Sequence, residues 1–324
     1  MPSLEDFLTR HQIHLEGVKN WAKNDLLRYI KRFAAEIKKL LGGIDADKLA
    51  ELSKARLNAL LKRIDAAFNK IMGEYGSDFY RQFRRITGID TVVQRGAFTV
   101  LREGTEFTTV TIGKVWKDAS ERIVSAYGMT PKETIADYLG RAKLDVVTTI
   151  RSAAADAIET AEAVANIVGK TKDFAQSSLG RIFSRGRTLV NTVVQHGSAV
   201  VSELMGRLVY GCYQWVSIID GVTSNICRTL NGQVFRYGDG PMPPAHNNCR
   251  SRAVPCDCDN DTKPRSYYAW LKAQPEAFLK AEFGAEVAAI IASGNAVASE
   301  YLKFASVNTL TPDQFELKAN LLTI

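Results

Sequence analysis

The residues of this chain that are best suited to chemistry lie between positions 212 and 258, where all five cysteines and a histidine occur together. Cysteine thiolates and histidine imidazoles are preferred zinc ligands, and a structural zinc ion takes four of them in a tetrahedron. The spacing lacks the paired C-x2-C knuckles of strong zinc motifs, so buried thiols or a disulfide are the alternatives. The candidate metal ligands, of which four would form a Cys3His set, are Cys227, His246, Cys249, Cys256 and Cys258.

The residues around these ligands predict a small β-rich module that has little hydrophobic core. Trp215–Asp220 has the β-branched composition of a short buried strand. Cys227–Phe235 is typical of a hairpin with Asn231 and Gly232 at its turn, because both residue types adopt positive φ angles easily. Cys212 precedes the strand and is expected to stay outside the metal set. A metal ion or a covalent cross-link would stabilise such a module.

Most of the remaining sequence has helical patterning. Apolar residues recur at three- and four-residue steps in 24–41 and 57–71, which predicts an antiparallel helical hairpin over residues 15–72. Thr130–Glu133 forms a capping box that opens a helix reaching about Val168, and another helix begins near Ser177 and Ser178. The β-branched stretch at 105–116 predicts an extended connection or a short strand.

These patterns predict a mainly α protein with a small α+β module in its C-terminal part. The predicted divisions are an N-terminal helical hairpin over 1–72, a helical middle region over 73–170, the cysteine-containing module over 171–262, and a helical tail over 263–324. We expect the N-terminal region to be elongated and the module to be compact and rich in turns.

Composition allows a folded protein and limits the class of partner. Hydrophobic residues make up 46% and charged residues 24% of the chain, which is ordinary for a globular protein. The formal net charge of +7 favours contact with polyanions, although a solvated basic surface accounts for it as well. No secretory signal and no apolar run of about 18 residues is visible, so we expect no membrane-spanning segment and synthesis in a reducing cytoplasm.

The sequence offers no established catalytic motif. A phosphate-binding Walker loop, H-E-x-x-H and G-x-S-x-G are all missing, and no paired carboxylates surround His246 and Asp220. We therefore expect no enzyme, with a metal-dependent nuclease at these two residues as an alternative. A zinc-containing nucleic-acid-binding module is a further alternative, and its candidate phosphate contacts are Arg181, Arg185, Arg187, Arg250 and Arg252.

The order of residues over about 171–258 resembles that of the phage head morphogenesis or minor head proteins, also called Mu F-like. Their pattern is a helix with Arg and Thr, an aromatic residue followed by Asp, a Cys or His before Leu and a Gly turn, a Pro-rich loop, and His-x-x-Cys-Arg-Cys. In this chain Ser251 stands where the last Cys is usual, and Asn231 where Asp is common. The matching residues are Arg187, Thr192, Trp215, Asp220, Cys227, Leu230, Gly232, Pro244, His246, Cys249 and Arg250.

The resemblance implies a minor capsid protein of a tailed bacteriophage. Such a protein would associate with the portal inside the head, near the portal vertex, and act in head assembly, DNA packaging or DNA ejection. Its implied partners are the portal protein, the major capsid or scaffolding protein and packaged double-stranded DNA. Before it enters the virion it would lie in the host cytoplasm, and release from a lysed host could oxidise its thiols. Relatives with a toxin or ADP-ribosyltransferase domain exist, but residues 259–324 are too short for one.

Overall fold

The structure is a computed structural model that describes residues 4–42, 52–101, 107–156, 160–169, 174–219, 222–264, 267–293 and 307–322. The predicted fold class is confirmed: these residues are mainly helical, with a small three-stranded antiparallel sheet in the C-terminal half. Within these ranges no helix combines the length and apolar character needed to cross a membrane. The elements are α1 Leu4–Leu41, α2 Lys54–Leu101, α3 Ile112–Glu121, α4 Pro131–Ala155, α5 Thr160–Val168, α6 Ser178–Gly206, β1 Cys212–Val216, α7 Asn225–Leu230, β2 Val234–Arg236, β3 Arg252–Cys256, α8 Tyr267–Lys272, α9 Glu276–Phe283, α10 Ala285–Ser293 and α11 Pro312–Leu322.

The chain forms two compact units whose limits differ from the predicted divisions. The first unit contains Met1–Trp21, Phe83–Pro131 and Asn191–Ile324, and the second contains Ala22–Gln82 and Lys132–Val190. The predicted division at residue 72 lies inside α2, which continues without interruption. Local periodicity locates helices along the chain, but it does not reveal which parts of a long helix pack with which neighbours.

The second unit is a helical assembly built on aromatic contacts and close helix approach. Phe33 and Phe68 pack edge to face with ring centroids 5.4 Å apart. Gly186 lies so close to Leu26 that a Cβ at this position would come within 2.3 Å of the leucine side chain. The helical hairpin predicted for the N-terminal region therefore corresponds to parts of α1 and α2, within this unit.

The first unit contains the sheet, whose strand order is β2-β1-β3. Strand β1 is central and antiparallel to both neighbours, with Tyr213 opposite Phe235 on one side and Pro255 on the other. A separate apolar cluster includes Trp270 and Leu271 of α8. Trp215 of β1 is fully buried and packs with Cys227 and Cys249. The strand predicted for Trp215–Asp220 is shifted: β1 covers Cys212–Val216, and residues 217–219 are not in a strand. Asp220 lies outside the described residues.

Three local predictions are wrong. The hairpin predicted for Cys227–Phe235 is absent, because residues 225–230 form the short helix α7 and only β2 pairs with β1. Gly232 has the expected positive φ of 87°, whereas Asn231 has a φ of −58° and caps α7. By contrast, the connection predicted at 105–116 is present in part: residues 107–111 are non-helical, residues 105 and 106 lie outside the described residues, and α3 begins at Ile112, where the Thr111 side chain accepts a hydrogen bond from Lys114 N–H. The helix predicted to run to Val168 consists of α4 and α5.

Candidate metal centre

Three of the predicted ligands come together in the module. Cys227 Sγ lies 3.0 Å from His246 Nε2 and 3.7 Å from Cys249 Sγ. All three ligand atoms lie within 4.8 Å of one another, and this group can hold a metal ion. The two cysteines are 2% and 0% exposed, so the thiols are shielded from bulk solvent.

Local structure positions each of the three side chains. Cys227 lies in the first turn of α7, and Ser224 caps this helix by accepting a hydrogen bond from Cys227 N–H. His246 and Cys249 lie in one tight turn, closed by a hydrogen bond from Cys249 N–H to the His246 carbonyl. Asn248 inside this turn has a φ of 60°, an uncommon angle for a residue other than glycine. The turn and the cap together fix the spacing of the ligands.

The turn between His246 and Cys249 is fastened to α6. Thr192 Oγ1 accepts a hydrogen bond from Asn248 N–H at 3.0 Å, and the Asn191 side-chain amide donates to Asn248 Oδ1 at 2.9 Å. Thr192 is fully buried. We call the residues that match the head-protein pattern the fold signature. Thr192, one of these residues, therefore holds the loop that carries two of the three ligands.

The imidazole of His246 presents its unprotonated nitrogen to the cysteines. Nδ1 lies 2.8 Å from the Asn247 carbonyl oxygen, which can only accept a hydrogen bond, so Nδ1 carries the proton. Nε2 then has a free lone pair, and the Ser224 hydroxyl donates to it at 2.7 Å. A hydrogen bond from the other ring nitrogen to a carbonyl, which fixes the tautomer, is characteristic of histidines that bind metals.

The two thiols have unequal acidity because they form a hydrogen-bonded pair. The hydrogen bond from Cys227 is the main cause that lowers the pKa of the Cys249 thiol to about 6, with backbone N–H groups of Ser251 and Ala245 acting in the same direction. The pKa of Cys227 is raised well above its ordinary value by the same hydrogen bond and by burial. The pair thus holds one proton at neutral pH, and a cation that binds both thiolates must displace it.

Serine hydroxyls complete the polar surroundings of the site. Ser251 is buried, and its hydroxyl donates to Cys227 Sγ at 3.1 Å and lies 2.9 Å from Ser217 Oγ. Ser217 in turn donates to the Cys227 carbonyl and accepts from the Trp215 indole N–H. The residue at which this chain departs from the family pattern, Ser251, therefore does point its side chain at the ligand group.

A buried cation lies on the α1 side of this site. Lys19 Nζ is fully buried and contacts Glu16 Oε1 and Gln195 Oε1, each at 2.6 Å. Gln195 also donates to the Ser251 carbonyl, which connects this polar cluster to the ligand loop. Burial lowers the pKa of Lys19, while Glu16 and, less strongly, Cys249 oppose that change. The ammonium group therefore contributes positive potential to the thiol pair.

The remaining two predicted ligands do not belong to the group, which corrects the predicted set. Cys258 forms a disulfide with Cys212, so its sulfur is not a free thiolate. Cys212 stays outside the metal group, as predicted, but it forms a cross-link. Cys256 is a free thiol that lies directly opposite Cys212 in the sheet and not among the three ligands. Residues two apart on a strand share a face, but the chain beyond Cys256 leaves the strand, a change that spacing does not reveal.

The predicted phosphate contacts have different surroundings. Arg252 is buried, it donates to Thr9 Oγ1, and burial lowers its pKa to about 10, so its prediction as a surface contact is wrong. Strand β3 is buried on both faces from Arg252 to Pro255, a feature that charge alone does not indicate. Arg181, Arg185 and Arg187 are exposed on α6, and Arg250 is partly exposed.

The other fold-signature residues also have structural roles. Gly232 donates its N–H to the Trp215 carbonyl beside the sheet. Pro244 is buried and follows Pro243 through a cis peptide bond. Sequence reasoning missed Ser224 and Lys19; the only signal for Ser224 was a capping serine three residues before Cys227.

No family model, curated protein or solved structure matches the chain in the three comparisons made.

Proposed function

We propose that this chain is a minor head protein of a tailed bacteriophage that associates with the portal inside the head. The observation that carries the proposal is the way Thr192, Trp215, Gly232 and the His246–Cys249 turn, which are far apart in sequence, meet in one module. A signature whose members contact one another is typical of a conserved fold unit. The proposed roles are head assembly, DNA packaging or DNA ejection, with capsid or scaffolding protein as further partners.

Co-expression tests the association. The chain, carrying an affinity tag, would be expressed with the portal protein of the same phage and the complex purified by sedimentation. We expect the chain to migrate with the portal ring and to be present in purified virions. If the chain neither sediments with the portal nor occurs in virions, the proposed function is wrong.

We further propose that Cys227, His246 and Cys249 hold a structural zinc ion. Two thiolates bound at about 2.3 Å to one tetrahedral ion lie about 3.8 Å apart, which is close to the 3.7 Å between Cys227 and Cys249. A thiolate and an imidazole nitrogen on the same ion lie about 3.6 Å apart, so the 3.0 Å between Cys227 Sγ and His246 Nε2 would have to lengthen when the ion binds. Thiolate and imidazole ligands favour zinc over magnesium or calcium. Within the described residues no carboxylate joins this group, which favours a structural ion over a nuclease centre.

The fourth ligand would be an oxygen atom. Ser251 Oγ and Ser224 Oγ each lie within hydrogen-bonding distance of one of the three ligands. A cavity of ≈ 20 Å³ adjoins Ser224, Cys227, His246 and Ser251, and this volume is sufficient for about one water molecule. A serine hydroxyl or a water molecule in this position completes a tetrahedron at lower affinity than a fourth thiolate.

Metal analysis of the purified chain tests the zinc site independently of the portal. We expect about one zinc ion per chain in the wild type and in Cys256→Ser, and none in Cys249→Ser. Equal zinc content in the two variants would contradict the assignment. Circular dichroism of each variant shows whether the helices are retained, so that loss of zinc can be separated from loss of the fold.

DNA contact is the second candidate function, and the exposed arginines of α6 are its specific support. Arg185 pairs with Asp145, and Arg187 lies over the Phe183 ring at 5.8 Å, so both are already engaged locally. Replacing Arg181 and Arg187 by glutamine should leave DNA affinity and its salt dependence unchanged if the chain acts through protein contacts. A loss of binding together with a shallower salt slope would favour the DNA-binding alternative.

A further inference from the structure

One end of the sheet brings three cysteines together outside the metal centre. Cys212 is directly opposite Cys256 in the pairing of β1 with β3. Cys212, however, forms its disulfide with Cys258, which lies two residues after Cys256, at a Cα–Cα distance of 5.1 Å. Cys256 is free. Two cysteines therefore lie beside one shared partner, and only one of them is bonded to it.

The sheet geometry also permits the other bond. Directly opposite residues of an antiparallel pair have Cα atoms about 4.5 or 5.5 Å apart and Cβ atoms about 4.5–5.5 Å apart. A disulfide requires a Cα separation of about 4.4–6.8 Å and a slightly closer Cβ approach. A rotation of the Cys256 side chain with a small backbone adjustment would thus bring its sulfur to Cys212.

Two of these three cysteines reach the surface, unlike the thiols of the metal group, whereas Cys212 is 2% exposed. Cys258 is exposed and Cys256 is partly exposed. Cys256 lines an open cavity of ≈ 510 Å³ together with Gln214, Asn260 and the carboxylates of Asp257 and Asp259. Solvent and small reagents can therefore reach the free thiol of Cys256, and the disulfide is open to solvent on its Cys258 side.

We propose that Cys212, Cys256 and Cys258 form an intramolecular thiol–disulfide exchange centre. The Cys256 thiolate attacks Cys212 Sγ, a Cys212–Cys256 bond forms, and the Cys212–Cys258 bond breaks. Cys258 leaves as a thiolate and takes up the proton that Cys256 lost, so the exchange needs no external oxidant or reductant. The exchange frees the segment that follows β3 from β1 while β1 and β3 stay linked.

The surroundings of Cys256 set the conditions for this exchange. Burial raises the pKa of the Cys256 thiol, and the Asp257 carboxylate adds to this effect, whereas a hydrogen bond with Asn260 opposes it. Since the thiolate is the attacking species, exchange accelerates as pH rises towards the pKa of this thiol.

Disulfide mapping by mass spectrometry tests the proposal. In Cys258→Ser incubated with oxidised glutathione, we expect most chains to contain the Cys212–Cys256 bond. The matched variant Cys256→Ser should retain only the Cys212–Cys258 bond. The proposal is wrong if Cys212 and Cys256 in Cys258→Ser stay free or bind glutathione without bonding to each other.

A measurement on the wild-type chain avoids dependence on the folding of a variant. The protein is held at pH 9, quenched with acid at increasing times, and its free thiols are alkylated and mapped. We expect label on Cys258 to appear at the expense of label on Cys256, and to appear more slowly at pH 7. Label confined to Cys256 at all times would overturn the proposal.

Discussion

The two groups of cysteines in the module differ in the exposure of their free thiols and therefore in chemistry: Cys227 and Cys249 are buried, whereas Cys256 is partly exposed. Cys227 and Cys249 lie in the interior against Trp215, and their polar partners are serine hydroxyls, an imidazole and backbone N–H groups. Cys212, Cys256 and Cys258 lie together at one end of the sheet, where Cys212 is buried on the central strand and Cys256 lines an open cavity. A cation that binds the buried thiol pair must displace its shared proton, whereas a partly exposed thiol beside a disulfide is open to exchange. The same residue type thus provides a group that can hold a metal ion at one place and a covalent cross-link at the other.

Removing the Cys212–Cys258 disulfide should have the largest effect on stability. The disulfide closes a sequence separation of 46 residues, for which the loss of chain entropy in the unfolded state amounts to about 4 kcal/mol. We expect Cys256→Ser/Cys258→Ser to lower the free energy of unfolding by about this amount in urea denaturation. Cys256→Ser alone is the control and should match the wild type. The single variant Cys258→Ser should lose less than the double variant, because Cys256 can replace Cys258.

Removing zinc should have the next largest effect on stability. The effect should depend on Cys227, His246 and Cys249 and not on Cys256. Zinc at about 100 times its dissociation constant stabilises the folded state by about 2.7 kcal/mol. We expect a chelator to abolish this stabilisation in the wild type and in Cys256→Ser, as measured by urea denaturation. Cys249→Ser should not respond to zinc or chelator. A wild-type unfolding curve that is the same with zinc and with chelator would remove the distinction between the two groups.

The metal-free chain should become more stable as pH rises from about 6 to about 9. In the folded chain the hydrogen bond from Cys227 lowers the pKa of the Cys249 thiol to about 6, well below its ordinary value. In this window the unfolded chain therefore binds a proton that the folded chain has lost. The free energy of unfolding should therefore rise by at most about 1.4 kcal/mol per pH unit. This contribution is lost as pH falls through the folded pKa. Urea denaturation in the presence of a chelator at several pH values measures how the free energy of unfolding depends on pH. This dependence should be weaker in Cys249→Ser. An equal dependence in Cys249→Ser would show that a group other than Cys249 causes it.

The smallest predicted effect concerns the serine that stands in the family's cysteine position. Ser251→Cys places a third thiolate near Cys227, and we expect zinc affinity to increase about tenfold, or about 1.4 kcal/mol. Competition with a chromophoric chelator measures the change. Ser251→Ala is the matched control, and it should bind zinc no more tightly than the wild type. If Ser251→Cys also binds no more tightly, the side chain at 251 does not reach the ion.

Much of the helical structure and the three grouped ligands of the site were predictable from local signals, whereas Ser224 and Lys19 were not. The capping box places the start of α4 at Pro131, and the serines near 177 place the start of α6. Cys227, His246 and Cys249 were recognisable because their residue types are those that bind zinc. The helix α7 was missed because the positive-φ preference of Asn-Gly suggested a hairpin, while Ser224 capping of a single helical turn is a weaker signal.

Residue types and local periodicity by themselves determined the fold class, most helix starts and a list of candidate sulfur and nitrogen ligands. The tertiary structure alone decided how the five cysteines divide among a metal group, a disulfide and a free thiol. It also decided that Arg252 is buried and that Lys19 lies beside the thiols. The physical reason is that ligation and disulfide formation depend on distances of a few ångströms between side chains. Those distances are set by strand register and by packing of distant segments, neither of which is encoded in the spacing of residues along the chain.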